Sequence, residues 1–172
     1  MQERHGAVTF KGNPMTSLGD ALQAGDQAPE FTVVANNLTT KNAADVLQGK
    51  VTVLSVVPSL DTGICDAQTR RFNEEAGNWG DKAHVATISA DLPFAQTRWC
   101  GAAGIEHVTT YSDHRDLSFG QAYGCAVKEL RLLQRSIFIV DASGTIRYVE
   151  YVPEIAQHPD YDKALAALKE II

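Results

Sequence analysis

The apolar and polar positions of this chain change period repeatedly, and the changes mark its elements. Residues 50–57, KVTVLSVV, are near-continuously apolar and β-branched, as expected of a strand buried on both faces. Residues 65–79 switch to helical spacing: Phe72, Ala76 and Trp79 recur on one face while Arg70, Arg71, Glu74 and Glu75 face water. Residues 85–89 read as a second buried strand and residues 108–111 as a short one. Between these two a helix is expected from Pro93, which suits a first turn, to Gly101, with Asp91 as its cap. Residues 136–140 and 145–152 are β runs joined by Asp141-Ala-Ser-Gly144, a hairpin signal. Leu165, Leu168 and Ile172 place an amphipathic helix over residues 161–171.

Shorter signals fill the rest. AVTFKG, residues 7–12, alternates and precedes the turn signal Asn13-Pro14, so an N-terminal hairpin extension is expected over residues 1–18. Residues 31–34 form a β-rich run, 42–48 a short helix ending at Gly49, and 119–123 a short helix behind Asp116 and Ser118. No repeat, low-complexity tract or linker divides the chain, so residues 1–172 read as one domain. Strands alternating with helices, then a hairpin, then a helix, predict an α/β domain of three layers around a mixed sheet.

Composition narrows the function. Fifteen Lys and Arg against 21 Asp and Glu give a net charge of -6, and the basic residues are scattered. That argues against a nucleic-acid surface, which needs a basic patch, and against binding an anionic membrane. No apolar run approaches the roughly 20 residues of a membrane span. The N-terminal MQERHGAVTFKGNP has charge but no apolar core, so a cytoplasmic, reducing location is expected. Three cysteines in such a chain do not suggest a structural disulfide framework. Their spacing, at 65, 100 and 125, matches no paired metal-ligand motif, so no metal is expected.

Attention then falls on PSLDTGIC, residues 58–65, where a buried strand stops and a helix begins. Cys65 lies in the first turn of that helix. Backbone N–H groups there lack intrahelical partners, and the helix dipole adds partial positive charge. Both favour a thiolate, the nucleophilic form. Pro58 fixes the turn leaving the strand, and Thr62 offers a hydroxyl three residues before the sulfur. A small apolar filler is the other reading of such a cysteine.

PSLDTGIC carries the pattern Pro-x-x-x-Thr-x-x-Cys and resembles the peroxidatic site of peroxiredoxins. PSLDTGICDAQTRRFNEEA and DLPFAQTRWCGAAGI are similar to two signatures of the thiol peroxidase branch, and the likeness extends from VTFKGNP to PDYDKALAALK. The resemblance implies a thioredoxin-like fold with an added N-terminal hairpin. It implies reduction of hydrogen peroxide and organic hydroperoxides by cysteine chemistry, without a metal or organic cofactor. It assigns Cys65 as peroxidatic and Cys100 as resolving cysteine, with Pro58, Thr62 and Arg135 completing the peroxide site. It further implies a homodimer reduced by thioredoxin. Gly63-Ile64 departs from the pair expected after Thr62 and leaves the loop's rigidity open.

Under that assignment Cys65 becomes a sulfenic acid, which Cys100 converts to an intramolecular disulfide. Each cysteine sits in its own expected helix, whereas a disulfide needs Cα atoms within about 7 Å. One or both helix turns must therefore unwind, a change that Gly101 and Gly104 ease. A thioredoxin-like redox sensor using the same two cysteines without turnover is the alternative function. A peroxidase working through Cys65 alone is a third. Cys125 reads as structural. Phe94, Trp99 and Tyr123 are candidates for an apolar entrance. Asp61 is a candidate cap for the Cys65 helix, and Arg70 a candidate support for it.

Overall fold

The computed structural model describes residues 1–172. Its chain opens with a hairpin of β1 (Glu3–Phe10) and β2 (Asn13–Leu18). The turn falls on Lys11 and Gly12, with φ of 52° and 81°, not on Asn13-Pro14. Positive φ at both central positions is the type I′ pattern of a two-residue hairpin, which Gly12 adopts freely. Pro14 is instead in the opening residues of β2, where a proline is tolerated.

β3 (Thr32–Ala35) and β4 (Thr40–Asn42) lead into α1 (Ala43–Leu47). Asn42 and Asp45 close that helix reciprocally, each side chain accepting from the other's backbone N–H at 3.0 and 2.9 Å. Next come β5 (Val51–Val56), α2 (Gly63–Ala76), β6 (Ala83–Ser89), α3 (Pro93–Ala103) and β7 (Val108–Ser112). Then come α4 (Ser118–Ala122), β8 (Ala126–Val127), β9 (Leu132–Leu133), β10 (Ser136–Val140), β11 (Ile146–Tyr151) and α5 (Tyr161–Lys169). β4, β8 and β9 went unanticipated, because two or three residues are too few to show a period.

The central sheet has seven strands in the order β11-β10-β5-β6-β7-β3-β4. β5, β6 and β7 run parallel, and both flanks are antiparallel, so the sheet is mixed as expected. Alternation along the strands splits the core in two. Leu54, Val56, Ala86, Ile88 and Phe138 pack towards α1 and α4, with Phe119 stacked on Tyr123 at 4.3 Å. Val53, Val85, Ile137 and Ile139 pack on the other face against Phe72 of α2 and Leu165 and Leu168 of α5. The helical period of the α5 apolar stripe ends before Ile172, which is exposed.

The N-terminal hairpin is larger in context than the sequence suggests. It joins β8 and β9 in a four-stranded sheet, order β1-β2-β8-β9. Its turn is tied down by Glu154, whose carboxylate accepts from Thr9 Oγ1 and from the N–H groups of Lys11 and Gly12 at 2.9 and 3.2 Å. Led by the Thr9 hydroxyl, these donors hold the carboxyl down at about 2. The hairpin is thereby set against the loop after β11, and Phe10 reaches the cleft described below.

Asp113, just after β7, is buried and accepts from the N–H groups of Phe119 and Gly120 at 3.0 and 2.8 Å. Burial pushes its carboxyl up to about 7, against the pull of those two donors, and Asp116 adds to the rise. The folded protein thus binds a proton that the unfolded chain releases near its ordinary pKa of about 3.9. Stability from this group is present below about pH 4 and lost as pH rises through about 7. Chemical denaturation at about pH 5 and pH 8 is expected to show a smaller fall in Asp113→Asn than in the unaltered protein. Equal falls would remove Asp113 as the cause.

Candidate active site

Cys65 is the third residue of α2, and the start of this helix is built for an anion. No backbone carbonyl accepts from the N–H groups of Gly63, Ile64 or Cys65, and no side chain caps the helix. Asp61, a candidate cap, is exposed and does not cap. α2 buries Cys65, Gln68, Thr69, Phe72 and Ala76, the one face that helical spacing allows. The sulfur is fully buried, next to Val57 and Leu60, with Trp99 packed on that cluster.

Arg135 comes from between β9 and β10, just before the strand that pairs with β5. It is buried, and each of its three nitrogens donates one hydrogen bond. Nη2 donates to Cys65 Sγ at 3.2 Å, Nη1 to Gln68 Oε1 at 3.0 Å and Nε to the Ile155 carbonyl at 3.0 Å. The planar guanidinium is thus fixed by two neutral acceptors and turned onto the sulfur. Gln68 is held in turn, its Nε2 donating to Ser55 Oγ at 2.9 Å. A buried cation with no carboxylate beside it is costly unless an anion completes the set. Of the three acceptors that Arg135 meets, Cys65 Sγ is the one able to carry a negative charge.

The sequence reading missed Gln68. A glutamine three residues after Cys65, inside the apolar stripe that continues at Phe72, was the available signal.

Pro58, Thr62 and Arg135 line one cleft of roughly 350 Å³, together with Phe10, Ile64, Leu132 and Ile155. Thr62 donates its proton to the Ser59 carbonyl at 3.1 Å, so its oxygen is left as an acceptor for a bound O–H. The apolar wall differs from the expected one. Tyr123 is in the core between α4 and the sheet, and Phe94 is 67% exposed at the start of α3. Neither lines the cleft, whose apolar residues come from β1, the loop after β5, the start of α2, β9 and the loop before it, and the loop after β11. Distant segments cannot be matched to one cavity from spacing alone.

Asp91 also departs from expectation. Leu92, not Asp91, precedes the first turn of α3, and no side chain caps that helix. The Asp91 carboxylate instead accepts from Ser59 Oγ at 2.7 Å, Leu60 N at 2.8 Å and Ser89 Oγ at 2.7 Å. It therefore pins the loop between β5 and α2. Asp91→Ala is expected to unpin that loop and lower kcat/KM for peroxide by about ten-fold, the effect of roughly 1.4 kcal/mol of lost positioning. Unchanged kinetics would show that the loop holds without it.

Cys100 is half-buried on α3, and its thiol faces Thr110 Oγ1 at 3.9 Å. Burial pushes this thiol up, with Thr110 opposing. Cys65 and Cys100 thus face different partners as free thiols. Cys125 is buried in the core beyond the sheet, and burial holds its thiol well above the ordinary range. Pro58, Thr62 and Arg135 share the cleft; Cys65 is buried against Arg135 and does not itself line it, and Cys100 lies outside it.

Comparison with known proteins places this arrangement. The Redoxin family profile matches residues 23–165. The chain is 59% identical over 165 residues to a thiol peroxidase of Bacillus subtilis (strain 168), covering 96% of this chain and 98% of that one. It is 53% identical over 164 residues to a thiol peroxidase of Staphylococcus aureus (strain MRSA252), covering 95% and 98%. Among solved structures, a peroxiredoxin-like protein from Aquifex aeolicus superposes with a TM-score of 0.88 at 38% identity, covering all of both chains. A thiol peroxidase from Chromobacterium violaceum shares the fold, with a TM-score of 0.82 at 20% identity over 95% of each chain. The fold is thioredoxin-like, with helices on both faces of the mixed sheet and the antiparallel β1–β2 hairpin added. The chain belongs to the Redoxin family and, within it, to the thiol peroxidases, enzymes of the peroxiredoxin type.

Proposed function

We propose that this peroxidase reduces hydrogen peroxide and organic hydroperoxides through Cys65, with Cys100 resolving the product and thioredoxin restoring both thiols. The observation that carries the reading is Arg135 Nη2 at 3.2 Å from the buried Cys65 Sγ, beside an apolar cleft. The Cys65 thiolate attacks one peroxide oxygen. An S–O bond forms, the O–O bond breaks, and the electron pair leaves on the distal oxygen, which takes a proton. Arg135 and the free N–H groups at the start of α2 stabilise the charge as it moves. Thr62 orients the peroxide by accepting its O–H, and Pro58 shapes the loop without adding a competing donor. Phe10, Ile64, Leu132 and Ile155 favour an apolar organic tail over water.

Resolution follows as an exchange at sulfur. Cys100 attacks the sulfenic sulfur of Cys65, the S–S bond forms, and hydroxide leaves as water with the Cys100 proton. Because the two thiols face different partners, local unwinding of α2, α3 or both precedes this bond. A dithiol such as thioredoxin then reduces the disulfide, and a cytoplasmic location, where such reductants operate, belongs to the same proposal. No helix is long and apolar enough to cross a membrane. A homodimer is part of the same proposal, supported by Leu92 and Phe94, two large apolar side chains left exposed at the start of α3.

Peptide mapping after one equivalent of hydrogen peroxide is the direct test. A Cys65–Cys100 linkage with Cys125 free is expected. Cys65 sulfinate with no linkage would remove Cys100 from the cycle and leave a one-cysteine peroxidase. Cys100→Ser is expected to keep the first oxidation and to lose at least about ten-fold of thioredoxin-driven turnover. Full turnover in that variant would refute the resolving role.

A further inference from the structure

α2 and α3 carry the two cysteines, and one side-chain cluster fastens them to each other. Asp66, next to Cys65, accepts from Trp99 Nε1, next to Cys100, at 3.1 Å through Oδ1. Its other oxygen accepts from Arg70 Nε at 2.8 Å. Arg70 extends across the gap, where Nη1 donates to the Ala103 carbonyl of α3 at 3.2 Å and the guanidinium lies 5.7 Å from the centre of the Trp99 ring. Arg70 therefore braces α2 against α3 and takes no part in the peroxide cleft.

The layer beneath this cluster is polar. Thr87 and Ser89 of β6, Thr110 of β7, Gln68 of α2 and Gln96 of α3 are all buried between sheet and helices. Thr87 Oγ1 and Gln96 Oε1 have no hydrogen-bond partner there. Water entering on opening would satisfy groups that the closed form leaves unpaired, which lowers the cost of opening.

We propose that Asp66, Trp99 and Arg70 form a clasp that sets how fast the two cysteine helices open for disulfide formation. The inference rests on the assignment of Cys65 and Cys100 under Proposed function. For Cys65 to leave Arg135 its turn must unwind, and Asp66, the next residue, must then release Trp99. The Asp66 and Arg70 side chains are 34% and 46% exposed, so each contact is weak enough to break in every cycle. None of the three lines the cleft, and Trp99 meets the Cys65 cluster by packing alone, which Trp99→Phe keeps, so they are positioning residues. They prolong the time that oxidised Cys65 stays in the pocket, and with it the exposure of the sulfenate to a second peroxide and sulfinate formation.

Two variants test the clasp. Trp99→Phe removes the indole donor and keeps a ring, while Arg70→Ala removes the brace to Ala103. Rapid quenching with hydrogen peroxide, alkylation and mass spectrometry would follow Cys65 sulfenate, Cys65 sulfinate and the Cys65–Cys100 linkage in time. In each variant sulfenate formation is expected within about two-fold of the unaltered protein. Disulfide formation is expected to rise about five-fold, the rate equivalent of one hydrogen bond of about 1 kcal/mol. Sulfinate at high peroxide falls in proportion. A merely structural role would slow both steps together. Disulfide rates that are unchanged or slower in both variants overturn the clasp while leaving the two-cysteine cycle intact. If the unaltered protein forms no such linkage, the cysteine assignment fails and the clasp with it.

Discussion

Cys65→Ser is expected to abolish peroxide turnover, a loss on the order of 10⁴-fold or more, the scale on which removal of a covalent nucleophile acts. A serine hydroxyl is neutral at pH 7, so the anion that attacks the O–O bond is missing. Oxygen also lacks sulfur's accessible oxidation step, and the equivalent product would itself be a peroxide. Serine is smaller than cysteine and buried in the same cluster of Val57 and Leu60, so the fold should persist. Peroxide consumption with excess dithiol, alongside a thermal melt, is the measurement. A melt like that of the unaltered protein with no turnover supports the assignment. Turnover above a few per cent in a folded variant would transfer the nucleophile to Cys100 or Cys125.

Arg135→Met is expected to lower the rate of Cys65 oxidation by about 10² to 10³-fold, as loss of one charge-stabilising donor does elsewhere. Methionine fills a similar volume but brings no donor to the sulfur. Cys65 would then be a buried thiol at a helix start, with only backbone N–H groups favouring its anion. Alkylation of Cys65 by iodoacetamide at neutral pH should slow in parallel, since only the thiolate reacts. The variant also leaves Gln68 Oε1 and the Ile155 carbonyl unpaired in a buried site, at about 1–3 kcal/mol each, so its melting temperature should fall. Arg135→Lys separates charge from geometry. It keeps the cation but cannot serve three acceptors with a fixed fork, so partial recovery of rate is expected. Equal rates in Arg135→Met and the unaltered protein would show that the 3.2 Å contact is structural only.

Much of this protein was legible before folding was considered. The β-branched run at residues 50–57 became the central strand β5, and the hairpin signal at Asp141–Gly144 became the turn between β10 and β11. Local patterns succeeded there because burial on a known period leaves few alternatives. Pro93 began α3 as a first-turn proline, yet Asp91 was drawn away from that helix. An aspartate can cap a helix or bridge two loops, and the choice depends on what lies across the gap, here Ser59 and Leu60.

The sequence by itself determined the thiol's setting: a cysteine in the first turn of a helix, behind a buried strand, with Pro58 and Thr62 at motif spacing. Those are neighbours along the chain, and helix geometry alone places them. Only the tertiary structure decided which distant groups meet that sulfur. Arg135 lies 70 positions away and reaches Cys65 because β10 pairs with β5. Phe10 reaches the cleft because Glu154 anchors the hairpin turn, and Tyr123 does not because it ends α4 and packs with Phe119 and Phe138 in the other core. Periodicity reports which face of an element is buried. It carries no information about which other face, hundreds of atoms away, will be packed against it.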